Sequence, residues 1–112
     1  MNKATICFLL LYSLIQGAIA QTFDPNQIYE IHSINGLVLH NQESLHSGSK
    51  IFISKQEEGK ESQVWNIIPA GNGYYSIVSP LAKRSIDNSG NGKAEVAILQ
   101  WDTNTDNANQ QW

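Results

Sequence analysis

The 112-residue chain is poor in several things at once, and each shortage narrows the reading. Its single cysteine, Cys7, lies within an apolar N-terminal run, so everything beyond residue 20 is cysteine-free and must be held together by packing, without the disulfides many exported domains use. Cys7 also lacks the small-residue context that lipid attachment needs. Charge is scarce, and seven basic residues face ten acidic ones with no basic cluster. A surface that tracks nucleic-acid phosphates is therefore excluded as the expected function. No apolar stretch is long and unbroken enough for a membrane span of about 20 residues, since the N-terminal run is interrupted by Ser13, Gln16 and Gly17. Past residue 20 no segment sustains a 3.6-residue apolar period. The three prolines, Pro25, Pro69 and Pro80, fall at expected segment edges. There is no Gly-x-Ser-x-Gly elbow or phosphate-binding loop, and no nucleophilic cysteine beyond Cys7. The chain is not expected to be an enzyme or to require a cofactor.

Residues 1–20 combine an early positive charge at Lys3, the apolar stretch Ile6 to Ile15, and Ala18-Ile19-Ala20, which has the small-x-small form of a signal-peptidase site. They are expected to be an export signal, leaving a secreted domain (extracellular or periplasmic) over residues 21–112. Loss of Lys3 takes the formal charge from −3 to about −4.

What the sequence does hold is a repeat. Gln63-Val64-Trp65 is answered by Gln110-Gln111-Trp112. Ile28-Tyr29-Glu30-Ile31 aligns with Tyr74-Tyr75-Ser76-Ile77, and one extra residue before Lys83 brings the remainder into register at a constant offset of 47. Leu39-His40-Asn41 then meets Ile86-Asp87-Asn88, and Ile51-Phe52 meets Ile98-Leu99. Periods of roughly 20 to 50 residues mark units that cannot bury their own apolar faces and must pack on one another. Short apolar runs (Ile28 to Ile34, Leu37 to Leu39, Ile51 to Ile53, Val64 to Ile68, Tyr74 to Val78, Ala97 to Trp101) are separated by turn chemistry such as Gly71-Asn72-Gly73 and Asn88-Ser89-Gly90-Asn91-Gly92. The expected class is all-β. Trp65 and Trp112 are assigned to the structural core, with the Gln63 amide turned back onto backbone groups of the preceding turn.

Two in-register Gln-x-Trp repeats of this length, with a Leu/Ile-Asp dipeptide upstream and an Asn-rich loop between, resemble the ricin B-type lectin domain. The resemblance spans Gln27 to Trp112 and implies an incomplete β-trefoil in which two of three repeats are present. It also implies a carbohydrate site in the second repeat: Asp87 after Ile86, Trp101 as the aromatic, and Asn109-Gln110 leading into the final Trp. The first repeat carries His40, Ser54 and Ser62 at the places of Asp87, Trp101 and Asn109, keeps only Gln63, and is expected to be structural. The chemistry of those residues suits a sugar on its own terms. A carboxylate accepts from hydroxyls, an amide both donates and accepts, and a flat ring packs on C–H faces. Family members often carry a Gln two places before the aromatic. Leu99 stands there, and Gln100, one step on, is expected to face the other way along a strand.

The resulting expectation is a carbohydrate-binding lectin module, its ligand galactose-like or a plant or microbial polysaccharide. It would act through self-association or by holding an attached or partner glycoside hydrolase on its substrate. The alternative is a protein-binding or structural trefoil with a decayed sugar site, in which Trp101 is buried and Asp87 is engaged by backbone; a further alternative is a degraded product with no folded role. Asp102-x-Asn104-x-Asp106 has the spacing of a calcium loop. Asn107 replaces the expected Gly, however, and no bidentate Glu follows, so no metal site is assigned.

Overall fold

The computed structural model describes residues 3–6 and 22–112, with backbone alone at Thr5 and Ile6. The rest of the expected export signal lies outside the described residues. Among the described residues the protein is built from eight strands and two single 3-10 turns, with no α-helix, and no helix is long and apolar enough to cross a membrane. The strands are β1 (Lys3–Ile6), β2 (Ile28–Ile31), β3 (Leu37–His40), β4 (Phe52–Lys55), β5 (Asn66–Gly71), β6 (Tyr74–Ser79), β7 (Arg84–Asp87) and β8 (Leu99–Asp102). The 3-10 turns, Glu61–Gln63 and Ala108–Gln110, precede the two Gln-x-Trp tryptophans.

The repeat seen in the sequence is a repeat of hydrogen bonds. Tyr29 and Trp65 exchange both backbone bonds at 2.8 Å, and Tyr75 and Trp112 do the same at 2.9 Å. Trp65 Nε1 donates to Leu39 O at 3.2 Å, and Trp112 Nε1 donates to Ile86 O, 47 residues on, at the same distance. The glutamines match as closely. Gln63 Nε2 donates to Lys55 O (2.8 Å) and its Oε1 accepts from Glu57 N (2.8 Å); Gln110 Nε2 donates to Asp102 O (2.9 Å) and its Oε1 accepts from Asn104 N (2.8 Å). Each Gln therefore satisfies backbone groups that a tight turn would otherwise bury unpaired. The two units meet along the β5–β6 hairpin, closed through Asn72 at φ 54° between two glycines, and across Phe23, which packs edge-on against Tyr29 and Tyr75 at 5.5 and 5.1 Å.

Three local expectations need correction. Pro69 is inside β5, not at its edge, and is tolerated because the ladder shifts register between Pro69 and Gly71, a bulge that leaves a residue unpaired. β7, Arg-Ser-Ile-Asp, is absent from the apolar runs because its buried Ser85 and Asp87 are polar groups satisfied by hydrogen bonds. Trp112 keeps the bonding of Trp65 but not its burial. Trp65 is fully enclosed with Val38, Val64, Ile67 and Ile86 among the buried core, whereas Trp112 is 41% exposed because no described element covers its outer face.

β1 falls in the segment expected to be removed. It pairs parallel to β2, and Lys3 Nζ ion-pairs with the buried Glu30, whose Oε2 lies 2.8 Å from both His32 Nε2 and Gln56 Nε2. Burial pushes the Glu30 carboxyl up, and the bonds from Lys3 and His32 outweigh it, so its pKa is lowered.

Candidate functional site

The second repeat assembles its site from the β7–β8 pair and the Ala108–Gln110 turn. In the antiparallel register Asp87 faces Leu99 and Ser85 faces Trp101. Side chains alternate along a strand, so Asp87, Leu99 and Trp101 share one face while Ile86 and Gln100 point to the other. Across from them the turn brings Asn107 and Asn109. Together with Ser89 these residues line a shallow pocket of about 340 Å³.

Asp87 is 5% exposed and held at both oxygens: Oδ1 accepts from Ser89 N at 2.7 Å, and Oδ2 accepts from Gln110 Nε2 at 3.0 Å. A carboxylate has about four acceptor positions, so this clamp fixes its direction while leaving acceptor capacity at the pocket wall. Asn109 donates from Nδ2 to Asn91 Oδ1 (2.9 Å), and its backbone N–H is capped by Asn107 Oδ1 (3.0 Å). Trp101 is 47% exposed. The loop above the carboxylate is fixed by close approach: a Cβ at Gly90 would lie 2.7 Å from Val96 Cγ2 and 2.8 Å from Lys93 O.

Asp87, Trp101 and Asn109, nominated from sequence, thus meet at one pocket. Gln110 does not reach it. It is fully buried behind Asp87, its amide committed to Asp87, Asp102 and Asn104. Asn107, Ser89 and Leu99 also line the pocket although none was nominated as a sugar contact, Leu99 standing out only as a departure from the family's Gln and Asn107 only as a departure from a calcium loop; their signal lay in the registers, since Asn107 stands two before Asn109 and Leu99 two before Trp101. Gln100 faces away from the pocket, as its strand position implied. The trefoil with a decayed site called for a buried Trp101 and a backbone-engaged Asp87. Only the second feature is present.

The first repeat offers no such constellation. His40 is buried, its Nδ1 3.4 Å from Ser54 Oγ, and Ser62 Oγ, at the place of Asn109, is enclosed with no partner among the described residues. Burial, with a smaller push from Lys60, holds the His40 imidazole below its ordinary range. Protonation therefore opposes folding. The contribution of His40 to stability is complete above the unfolded-state pKa, about 6.5, and is lost as pH falls through the lower folded-state value. Denaturant midpoints should drop between pH 7.5 and 5.5, and His40→Gln should reduce that drop; an unchanged drop would mean that other groups cause it.

Nor does the Asp102, Asn104, Asp106 run converge on a cation. Asp102 Oδ1 accepts from Ser47 Oγ (2.6 Å) and ion-pairs with Arg84, Asn104 Oδ1 accepts from Asp106 N (3.0 Å), and among the described residues no cluster of three or more His, Cys, Asp or Glu side chains is arranged to hold a metal.

With this geometry in place, the sequence model of ricin-type beta-trefoil lectin domain-like proteins matches residues 20–101. The chain belongs to that family. No curated protein matches it. Among solved structures, a designed threefold-symmetric protein, ThreeFoil, is similar at 20% identity and TM-score 0.69 over 76% of this chain and 61% of its own. A Polyporus squamosus lectin, solved with the human-type influenza-binding epitope Neu5Acα2-6Galβ1-4GlcNAc, is similar at 20% identity and TM-score 0.62 over 76% of this chain and 30% of its own. An exo-β-1,3-galactanase from Clostridium thermocellum is similar at 26% identity and TM-score 0.63 over 74% of this chain and only 18% of its own. The fold is a β-trefoil, and this chain spans about three-fifths of the designed trefoil's length.

Proposed function

We propose that this ricin-type trefoil chain is a non-catalytic carbohydrate-binding module with one shallow hexose site, in the second repeat. The observation that carries the reading is the half-exposed Trp101 ring on the same sheet face as the clamped carboxylate of Asp87, at a shallow pocket with room for a hexose. Trp101 supplies the stacking surface, Asp87 accepts from hydroxyls, and Asn109 and Asn107 supply amides at the rim. Gln110 acts from behind by orienting Asp87. No cationic side chain lines the pocket, which suits an uncharged hexose.

A site of this kind is weak. Stacking and a few hydrogen bonds, less ordering and desolvation costs, give about −4 kcal/mol, a millimolar Kd. Useful binding then rests on multivalency or on attachment to a catalytic partner. The galactanase supports the second route, because this chain covers a module-sized share of that enzyme. We place the module outside the cell, on the strength of the N-terminal signal-like sequence.

A glycan array with the purified protein tests the reading and identifies the sugar. Asp87→Asn keeps the side-chain shape and weakens the acceptor. It should lower affinity at least fivefold by isothermal titration, about 1 kcal/mol or more. It should also lower the thermal midpoint of a still-folded chain, because one clamping donor, Ser89 N or Gln110 Nε2, then meets an amide N–H. Undiminished binding would remove Asp87 from the site. Proteins retained in place of glycans would favour the protein-binding alternative.

A further inference from the structure

We infer that the first repeat, which has no site of its own, supplies the wall that positions Trp101, so that the sugar site is shared between repeats; this rests on the sugar-site reading above. Alternate residues of β8 have two tasks. Leu99 and Trp101 face the pocket, while Gln100 and Asp102 grip the loop Ser44–Ser49 of the first repeat. Gln100 is fully buried. Its Nε2 donates to Ser44 O at 3.0 Å and His46 O at 2.8 Å, and its Oε1 accepts from Asn41 Nδ2 at 3.2 Å. Asp102 Oδ1 accepts from Ser47 Oγ, and Arg84 Nε donates to Leu45 O at 3.3 Å. The backbone is stitched as well: Gly48 N donates to Gln100 O and Gln100 N to Ser49 O, each at 2.8 Å, and Ile51 N to Ile98 O at 3.0 Å.

The outcome of this grip is a contact at the ring. Gly48, at φ +85°, sits where a Cβ would lie 3.3 Å from Trp101 Cζ3. The absence of a side chain there lets the indole settle against first-repeat backbone, which limits how the ring can turn and leaves its free surface to the pocket. Gly48 is thus a positioning residue for the stacking ring.

Gly36 provides an internal control. It too has φ +85°, but a Cβ added there meets nothing within 4 Å. Gly48→Ala and Gly36→Ala impose the same left-handed strain, so in the full chain both should lower the thermal midpoint to a similar degree. Only Gly48→Ala should weaken glycan binding, by about tenfold, equivalent to about 1.4 kcal/mol. Only Gly48→Ala should shift the Trp101 indole N–H resonance, assigned from Trp101→Phe. If Gly48→Ala does not fold, Ser47→Ala carries the test, with at least twofold weaker binding, a shifted Trp101 resonance and an unchanged midpoint. Native affinity together with an unmoved Trp101 signal in the folded variant, or equal loss of binding in Gly36→Ala, would overturn the inference. The resonance reads ring placement without sugar. An unmodified chain that binds no glycan, while Gly48→Ala still shifts Trp101, would therefore defeat the proposed function and leave the positioning role intact.

Discussion

Trp101→Ala should abolish the proposed carbohydrate binding and move the thermal midpoint by no more than about two degrees, because a ring with nearly half its surface in solvent adds little to the core. The two readouts separate function from fold. The ring is the pocket's one aromatic surface, and removing it would delete the face proposed to pack on sugar C–H groups; Asp87 and Asn109 alone would give hydrogen bonds that water can replace. Titration calorimetry on Trp101→Ala, beside Ser54→Ala and His40→Gln as first-repeat controls that should bind like the unmodified chain, decides where the site is. Binding that survives Trp101→Ala and is lost with His40→Gln would place it in the first repeat.

Trp65→Ala should have the largest effect on stability, about 3 to 5 kcal/mol, read from the shift in denaturant midpoint. The indole is fully enclosed, so its removal leaves a cavity against the core and strips Leu39 O of its 3.2 Å donor. A domain of this size has about 5 to 15 kcal/mol to lose, and such a change brings much of the population close to unfolding. Trp112→Ala makes the comparison informative. It breaks the equivalent bond to Ile86 O but empties a position already 41% exposed, so its cost should be about half as large or less. Equal costs would mean that something covers Trp112 in solution. Self-association would be one such cover, and sedimentation of the same samples would detect it.

The sequence by itself determined those features that recur along the chain. A 47-residue offset is visible because each repeat solves the same local problem: a Gln closes its own turn, a Trp donates to a carbonyl 26 residues back, and strand-length runs alternate with turn residues. Because these bonds are set by spacing within one unit, the all-β class and the two-repeat organisation could be read before any contact was known, and the trio Asp87, Trp101 and Asn109 came from the resemblance to the ricin B-type family that those repeats carry. Tertiary structure decided what depends on contacts between units and on which way a side chain points. Gln110 reads like a ligand-binding amide, yet burial turns it into a brace for Asp87. Gln100 was expected to face away from the site, but only packing shows where it goes, into the first repeat and 54 residues away at His46. Gly48 has no sequence signal as part of a sugar site. Its role exists only because β8 and a distant loop are bonded edge to edge, and neither spacing nor composition encodes a juxtaposition made by packing two units together.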